Sequence, residues 1–415
     1  MTESNAAAGS LTRPCVKCRA QEATLDSRSQ PVCRDCFTKF IATKCIKQVG
    51  ILGKETRPPP PATKTGGPPT DTRRYLLGLS LGVSSTALLH LLNGNVEFQL
   101  SRGRSAPFDL IVIHIDASGD DSSPDTEAIL ARYRARYPRF TFHCVPLSSA
   151  VANLDLSSLP ILSKEDEEPK DPHWWKTLPT AASRTDVARL LTRQALLAQA
   201  VTHNCQALLL GHSTTALAEL TLAEAAKGRG FALPWVVQDG FAPSLPSSLL
   251  LPVPHGGGDG EEGVTGDGEE GGGDDGEVIK EVLVYHPLRD ALRKELVIYA
   301  GLVDPPLTEL ISNTRENKDD RAVVSHKDLS IEEVMLRYFA EVEESYPSVV
   351  ANVARTTGKL VRAGEGPGGE RCGLCGMPLD EDGDQRWRGE LGIQERSAAG
   401  TGGRLCYGCE RSTGG

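Results

Sequence analysis

Eight of the eleven cysteines form four Cys-X-X-Cys pairs, one quartet near the start of the chain and one near its end. The quartets are Cys15, Cys18, Cys33 and Cys36, and Cys372, Cys375, Cys406 and Cys409. Two thiolate pairs can complete the tetrahedral shell of one zinc ion. The spacing therefore predicts two structural zinc sites. Metal-free thiols, redox pairs and an iron–sulfur cluster remain alternatives, because four cysteines alone do not identify the metal.

Two loops between the quartets have the residue types of a phosphate-binding site. Each follows an apolar strand pattern and opens a helical pattern, at residues 80–85 and 210–215. Backbone N–H groups and a helix N-terminus can bind phosphate there if small residues allow close approach. Neither loop contains a charged residue, so stabilisation of a transferring phosphoryl group is doubtful. The candidate nucleotide-loop residues are Ser80, Gly82, Ser84, Ser85, Gly211 and His212.

The elements that must position these loops alternate along the chain. Apolar strand patterns span residues 75–79, 110–115, 140–145, 207–210 and 282–285. Helical patterns span residues 37–49, 85–92, 126–137, 185–201, 214–227, 288–302 and 331–361. Strands that alternate with helices predict a parallel sheet covered by helices on both faces.

Composition divides the chain into four predicted parts. They are an N-terminal zinc module (1–50), a Pro- and Gly-rich linker (51–72), an α/β domain (73–365) and a C-terminal zinc-ribbon-like module (366–415). The linker holds four consecutive prolines, which neither continue a helix nor enter a central strand. Inside the α/β domain, residues 255–278 are mostly glycine and acid, which predicts a disordered insertion.

The charge is segregated. The formal net charge is −10, but residues 255–277 hold nine Asp or Glu and no Lys or Arg, which leaves −1 for the rest. Residues 13–74 contain thirteen Lys or Arg against five Asp or Glu. This basic end could bind nucleic acid or could simply be a solvated face. The helical patterns add five arginines as candidates for binding nucleic acid: Arg132, Arg136, Arg139, Arg189 and Arg193.

The sequence also bears on the cellular compartment. No apolar run approaches eighteen residues, and the first ten residues lack the pattern of a secretory signal. We therefore expect an intracellular chain without a membrane segment, in which paired cysteines bind metal more often than they form disulfides.

Several motifs together resemble one family. Residues 80–85 resemble the SGGxDS loop of enzymes that adenylate their substrates with ATP, and residues 210–216 resemble the TGHNxDD turn of the same enzymes. Residues 189–196, 287–289 and 294–300 and both cysteine quartets add to the likeness. On these motifs the chain is similar to the second-subunit family of the cytoplasmic tRNA 2-thiolation complex, which are degenerate paralogues of PP-loop thiouridylases.

The resemblance implies a PP-loop ATPase-like (adenine nucleotide alpha-hydrolase) fold and a cytoplasmic, non-catalytic subunit. Its partner would be the active thiouridylase, which adenylates the wobble uridine of tRNAs for Lys, Glu and Gln and receives sulfur from a thiocarboxylated ubiquitin-related modifier. The subunit would help to bind tRNA, with structural zinc and with ATP binding lost.

The departures from the family pattern support that role. Val83 and Ser84 stand where the active loop has a polar group and an aspartate, and residues 180–183 lack the central cysteine pair of the active paralogue. We assign no catalytic residue.

Two alternatives remain open. The chain could be an ATP-dependent tRNA sulfurtransferase in its own right, with Ser80, Gly82 and Ser85 holding ATP and Cys144 or Cys205 carrying sulfur. It could also be an interaction scaffold with zinc-bound ends and no role with RNA.

Overall fold

The fold is described from a computed structural model that covers residues 13–57, 73–118, 124–151, 172–243, 282–311, 329–362, 370–380, 383, 386 and 404–414. The predicted acidic insertion and most of the predicted linker lie outside the described residues.

Strands and helices alternate through the α/β region as the sequence predicts. The strands are β1 (Leu25–Ser27), β2 (Gln30–Val32), β3 (Arg74–Gly78), β4 (Asp109–Asp116), β5 (Thr141–Pro146), β6 (Ala207–Leu210), β7 (Gly240–Phe241) and β8 (Leu283–Tyr285). The helices are α1 (Arg34–Glu55), α2 (Val83–Ser101), α3 (Pro124–Arg136), α4 (Leu147–Val151), α5 (Ala181–Thr202), α6 (Thr214–Ala226), α7 (Leu233–Val237), α8 (Arg293–Leu302), α9 (Ile331–Ser345), α10 (Pro347–Thr357) and α11 (Tyr407–Gly414).

Six strands form the central sheet in the order β5-β4-β3-β6-β8-β7. All neighbours are parallel except β7 and β8. The chain moves outward from β3 through β4 to β5, then returns to β6 on the other side of β3. The order therefore reverses between β3 and β6, and parallel α/β sheets bind ligands outside the carboxyl ends of the strands at such a switch point.

The two faces of the sheet bury separate cores. One face packs against α1, α2, α3 and α8, with Tyr75, Leu77 and Val112 directed toward it. The other packs against α5 and α7, with Leu76, Ile111 and Ile113 directed toward it. Alternate strand residues thus enter opposite cores, which is the two-sided burial expected for a parallel sheet.

Each cysteine quartet belongs to a different face. Cys15 and Cys33 lie in the core that contains α1 and α2, whereas Cys372 and Cys409 lie in the core that contains α5. Helix α1 also continues to Glu55, so the first residues of the predicted linker are helical. Both quartets are thus packed into the α/β region.

The hairpin β1–β2 attaches the N-terminal quartet to the sheet domain. Arg28 and Ser29 form its turn with φ of 54° and 64°, a left-handed conformation that matches the twist of a two-residue hairpin. The Arg28 guanidinium then donates to both carboxylate oxygens of Glu295, at 2.6 and 2.9 Å. Glu295 also accepts from the Leu292 backbone N–H at the start of α8. The turn thereby joins the quartet to α8.

The predicted helical region 331–361 is two helices. Helix α9 begins with a capping box of Ser330 and Glu333, and α10 begins at Pro347, whose ring fits the first turn of a new helix. The pair packs against α6 through Phe339 and Val350. No helix among the described residues is both long and apolar enough to span a bilayer.

Candidate functional site

The two predicted loops meet at the switch point of the sheet. The loop after β3 leads into α2, and the loop after β6 leads into α6, with β3 and β6 as direct neighbours. A Cβ atom built on Gly211 would lie 2.7 Å from the Cα of Ser85 and 2.8 Å from its N. A side chain at position 211 would therefore force the loops apart. The structure brings all six candidate nucleotide-loop residues to one edge of the sheet.

The loop after β3 satisfies its polar groups internally. The Ser85 hydroxyl accepts a hydrogen bond from the Ser80 N–H at 3.2 Å, donates to the Gly82 carbonyl at 3.1 Å and lies 3.0 Å from the Ser80 hydroxyl. Thr86 Oγ1 is hydrogen bonded to Gly82 O and to Tyr133 Oη. These bonds fix the course of the loop but leave few side-chain groups to contact a phosphate.

Leu81 occupies a backbone conformation that favours glycine. Its φ is 60°, and its side chain is 6% exposed within the core that contains α2. The SGGxDS pattern has glycine at this position. A leucine in the left-handed region costs roughly 1–2 kcal/mol, which burial of an apolar side chain worth about 1.5–3 kcal/mol offsets. The loop thus keeps its backbone course, while the side chain of its second residue, Leu81, packs in the core.

The turn after β6 also uses its polar side chains for hydrogen bonds within the protein. Thr214 Oγ1 donates to the Arg289 carbonyl at 2.7 Å, and Thr215 Oγ1 donates to Glu343 at 2.6 Å. Thr215 and Ala216 stand where the TGHNxDD pattern has its two acids. Position 215 thus has a hydroxyl that is hydrogen bonded to α9, where the pattern has an acid. A carboxylate that the motifs did not reveal, Asp116, ends β4 at the same edge and accepts from the Ser118 N–H.

Two histidines stack at this edge. The rings of His212 and His286 lie 5.2 Å apart between centroids, and Asp239 accepts from the His286 N–H and lies 3.0 Å from its Nδ1. Burial lowers the pKa of His212 to about 3, with the charges of His286 and nearby arginines acting in the same direction. Burial also lowers the pKa of His286, although Asp239 opposes this shift. The pair is therefore neutral at pH 7.

Each cysteine quartet has the geometry of a site for one ion. Within each quartet the four sulfur atoms lie within 4.8 Å of one another. Cys18 and Cys33 are 3.8 Å apart, and Cys375 and Cys406 are 3.9 Å apart. A tetrahedral ion with bonds of about 2.3 Å separates its sulfurs by about 3.8 Å. An iron–sulfur cluster would hold the thiolates farther apart because its own atoms lie between them. The donor sets fit a single thiophilic ion.

The two quartets differ in exposure. All four C-terminal cysteines are buried, whereas Cys18 is exposed and Cys36 half-buried. Cys33 is the N-cap residue of α1, and Cys36 lies in its first turn. The N-terminal quartet therefore joins the β1–β2 hairpin to the start of α1 and is partly exposed. The C-terminal quartet is enclosed by protein.

A buried ion-pair cluster connects α5, α6 and α11. Arg229 contacts Asp186 at 2.7 Å and Glu224 at 2.8 Å, and Ser412 donates to Asp186 at 2.7 Å. Burial would raise the pKa of Asp186, but Arg229, Arg189 and Lys227 hold it well below its usual range. The cluster borders a cavity of about 160 Å³ between α5, α6, α9 and α11. Sequence reasoning missed the cluster, since its members are spread over more than two hundred residues.

The five candidate arginines do not form one surface. Arg132, Arg136 and Arg139 lie on or just after α3, on the face of the sheet that holds α1, whereas Arg189 and Arg193 lie on α5 on the other face. Because α3 returns from the carboxyl edge of the sheet to its amino edge, Arg139 lies away from the two loops. Arg132 and Arg139 are exposed, and Arg136 donates to the carbonyls of Pro305 and Pro306.

The arginines of α5 are engaged within the protein rather than on an exposed helix face. Arg189 contacts Asp186 at 3.0 Å and Glu224 at 2.5 Å, and its side chain is 28% exposed. Arg193 donates to the Trp235 carbonyl at 3.0 Å, and its Nη1 has no contact with solvent. Burial lowers the pKa of Arg193 to about 10, while Cys375 opposes this shift. Both side chains are thus half-buried and bonded within the protein.

The three remaining cysteines lie outside the two loops. Cys45 is buried in α1, and Cys205 is buried just before β6, at the amino edge of the sheet. Burial raises the pKa of Cys205 to about 12 and also raises that of Cys144, which lies on the edge strand β5. Neither thiol has the lowered pKa of a sulfur carrier.

Fold and site together define a PP-loop-type α/β protein with two tetracysteine sites. A solved structure with a similar fold is the U34-tRNA thiolase NcsA from Methanococcus maripaludis with its 4Fe-4S cluster. It has a TM-score of 0.52 and 16% identity, over 88% of this chain and 96% of that chain.

Sequence comparisons then identify the family. A protein from Phaeosphaeria nodorum called cytoplasmic tRNA 2-thiolation protein 2 is 33% identical, over 96% of this chain and 94% of its own length. Its namesake from Sclerotinia sclerotiorum is 33% identical over 83% of this chain and 81% of its own length. A family model with the same description matches residues 330–411, which contain α9, α10 and the C-terminal quartet. The chain belongs to the cytoplasmic tRNA 2-thiolation protein 2 family.

Proposed function

We propose that this chain is a non-catalytic, cytoplasmic subunit of a tRNA wobble-uridine 2-thiolation complex, paired with an active PP-loop thiouridylase. Its role is to help bind tRNA while the partner adenylates uridine and receives sulfur from a thiocarboxylated ubiquitin-related modifier. The names of the relatives support the pathway and the compartment.

The observation that most supports a non-catalytic role is that the loop after β3 uses its polar side chains for hydrogen bonds within the loop. Its backbone has the course of a nucleotide loop, but Ser85 bonds to residues of the same loop and Leu81 is packed into the core. Val83 and Ser84 provide no charge for phosphate or magnesium. Without such groups a phosphoryl or adenylyl transfer loses its main source of transition-state stabilisation.

The position of the thiols supports the same conclusion. Residues 180–183 at the start of α5 contain no cysteine. Eight thiols belong to the quartets, and the other three lie outside the loops and have raised pKa values. A sulfur atom delivered to this edge would meet no reactive thiolate from this chain.

We also propose zinc as the ion of both quartets, because four thiolates with tetrahedral spacing and two Cys-X-X-Cys turns are typical of structural zinc sites. Metal analysis of the purified protein should give two zinc ions per chain. A value well below one, or the visible absorption of an iron–sulfur cluster, contradicts this assignment.

For tRNA contact we propose the face of the sheet that holds α1 and α3. Arg132 and Arg139 are exposed there, and so are Lys17, Arg19 and Lys39 of the N-terminal module. Phosphate contacts release counterions, so binding should weaken steeply as salt rises. Arg189 and Arg193 enter this proposal only as structural residues.

The decisive experiment uses the chain co-expressed with a PP-loop thiouridylase. We expect one-to-one co-purification, sulfur transfer to tRNA by the complex only, and labelling by a photoreactive ATP analogue on the partner only. Arg132→Glu with Arg139→Glu should weaken tRNA binding, whereas Arg355→Glu, at an exposed arginine of α10, should not. Thiolation by the isolated chain would instead support the alternative of an independent sulfurtransferase.

A further inference from the structure

The exposed face of α1 presents a row of three lysines. Lys39, Lys47 and Lys54 are all exposed, and their spacing places them within about 80° of one another around a helix with 3.6 residues per turn. The row is about 22 Å long, at 1.5 Å per residue. None of the three forms an ion pair with an acid in the part of the chain that the structure describes. This lysine row is therefore a line of solvent-facing charge.

The other two cations of α1 are used within the protein. The Lys44 ammonium donates to the Asp290 carbonyl at 2.6 Å and lies 4.2 Å from the centroid of the Phe40 ring. Arg34 donates to the Leu302 carbonyl. These two side chains attach α1 to the residues around α8. The helix thus separates the cations that pack from those of the lysine row.

Acids do not interrupt the lysine row. No Asp or Glu lies between Lys39 and Lys54 in the sequence. Asp35 lies in the first turn and accepts from Gln21 at 3.1 Å, while Glu55 is turned about 100° from Lys54. Helix α9, in contrast, has five acids and one arginine. Positive charge is thus a property of this helix and not of exposed helices in the chain generally.

The chemistry of the lysine row favours phosphate as its ligand. A lysine ammonium is a compact point charge that suits phosphate oxygens. Binding of unpaired bases would need exposed aromatic rings for stacking, but Phe37 is buried and Phe40 is covered by Lys44. Insertion into lipid would need a free apolar face, and the apolar face of α1 is packed in the core. A regular phosphate backbone remains.

We propose that the exposed face of α1 binds the sugar–phosphate backbone of a double-helical arm of tRNA, with each lysine of the row facing a phosphate. The inference rests on the tRNA-binding role proposed above and assigns that role to one helix and one part of the RNA. Double-stranded RNA is recognised mainly by its shape and backbone. Such contacts hold no sequence information, so one surface can accept tRNAs of different sequence.

The N-terminal quartet extends the same surface. Its first turn lies against the start of α1, because Gln21 donates to Asp35 and the Gln21 carbonyl accepts from the Cys15 N–H at 2.9 Å. That turn presents the exposed Lys17 and Arg19. The bound ion therefore also sets where these two cations lie relative to the lysine row.

The test measures the salt dependence of tRNA binding by the complex with the thiouridylase. The anisotropy of a labelled tRNA transcript gives the affinity of the wild type and of the triple variant Lys39→Gln, Lys47→Gln and Lys54→Gln. The slope of log affinity against log salt should fall by about 1 for each lysine. Between about 50 and 200 mM salt, the affinity of the wild type should therefore drop roughly 50-fold more than that of the variant. Equal slopes would overturn the proposal.

A control variant removes the same charge from another part of the surface. Its changes are Arg337→Gln, Arg355→Gln and Lys359→Gln, in α9, in α10 and in the turn after α10. Affinity and slope should stay those of the wild type. An equal loss in both triple variants would overturn the proposal, because it would show that only the total charge matters.

A gain of affinity separates charge from damage to the fold. Thr43 is exposed between Lys39 and Lys47, and its hydroxyl bonds only within the helix, to the Lys39 carbonyl. Thr43→Lys should tighten tRNA binding and raise the slope by about 1. Misfolding does not produce tighter binding. Unchanged or weaker binding by this variant would contradict the proposal.

Competition identifies the class of ligand. An unlabelled RNA duplex of unrelated sequence should displace tRNA from the wild type better than a single strand of the same length, and the triple lysine variant should lose this difference. Better displacement by the single strand, or by vesicles of anionic phospholipid, would overturn the assignment. If the complex binds tRNA no more tightly than the thiouridylase alone, the proposed tRNA role itself fails. If it binds more tightly and the triple lysine variant does the same, only the inference about α1 fails.

Discussion

Gly211 and Ser85 are in backbone contact across two neighbouring strands, so close that a single methyl group at position 211 would lie 2.7 Å from the Cα of Ser85. This contact fixes the distance between the two loops at the switch point. It rests on backbone atoms, which cannot move aside as a flexible side chain can.

We expect Gly211→Ala to lower the free energy of unfolding by about 1–3 kcal/mol, the usual cost of overpacking. Urea denaturation measures it. Gly94→Ala is the matched control, because Gly94 lies inside α2 with no atom within 4 Å of its added Cβ. That change should stabilise by roughly 0.5–1 kcal/mol through helix propensity. Equal stabilities for the two variants would show that the loops can separate freely.

Leu81→Gly sets two effects against each other. Glycine relieves the left-handed strain, a gain of about 1–2 kcal/mol, but deletion of a buried leucine side chain costs about 2–5 kcal/mol. The second effect is larger, so we expect net destabilisation. We also expect no gain of ATP binding by calorimetry, because the loop still lacks charge. A stabilised variant, or one that binds ATP, would show that the leucine side chain itself blocks the site.

The buried ion-pair cluster predicts a large effect from one arginine. Arg229→Met should destabilise by about 3–5 kcal/mol, because it leaves Asp186 and Glu224 buried with too little positive charge. Arg134→Met, which removes the exposed pair with Glu127, should cost less than about 1 kcal/mol. Thermal unfolding of the two variants measures the difference. Similar losses would mean that the cluster is well solvated.

His212 predicts a loss of stability in mild acid. Its pKa in the folded protein is about 3, whereas an unfolded histidine has a pKa of about 6.5. The unfolded state therefore binds the proton first, and stability falls as the pH drops through 6.5 toward 3. Between pH 7 and pH 5 this histidine should account for about 2 kcal/mol.

The variant His212→Phe keeps an aromatic ring beside His286 but removes the proton site. Its stability should change less between pH 7 and pH 5 than that of the wild type, as measured by urea midpoints. The same pH dependence in both proteins would assign the acid sensitivity to other groups.

A chelator should remove the ions of the two quartets at different rates. The N-terminal quartet, with exposed Cys18, should lose its ion to a chelator before the enclosed C-terminal quartet. Because Cys33 is the N-cap residue of α1 and Cys36 lies in its first turn, this loss should fray the start of α1. Hydrogen exchange of the α1 amides would show it. Loss of the C-terminal ion first would contradict the assigned exposure.

The sequence was sufficient for the elements that have a strong period. The pattern at residues 207–210 matches β6 residue for residue, and the pattern at 214–227 matches α6 to within one residue. Four cysteines in two spaced pairs also predicted both quartets, since a metal site imposes its own spacing. In each case the signal is local.

The sequence was not sufficient where distant residues share a charge or a core. Arg193 has the spacing of a surface residue, and only the fold places its guanidinium against the Trp235 carbonyl. The contact between Arg28 and Glu295 spans 267 residues and has no local signature. The break before Pro347 was missed because apolar spacing continues on both sides of it.

The hydrogen bond between Ser412 and Asp186 joins residues 226 positions apart, and the core beneath α5 includes Cys372 and Cys409. During synthesis, part of the apolar surface of α5 therefore stays uncovered until the ribosome has made more than two hundred further residues. Such a delay favours aggregation of a nascent chain. It makes a chaperone, a prompt supply of metal or early assembly with another protein valuable to this chain in the cell.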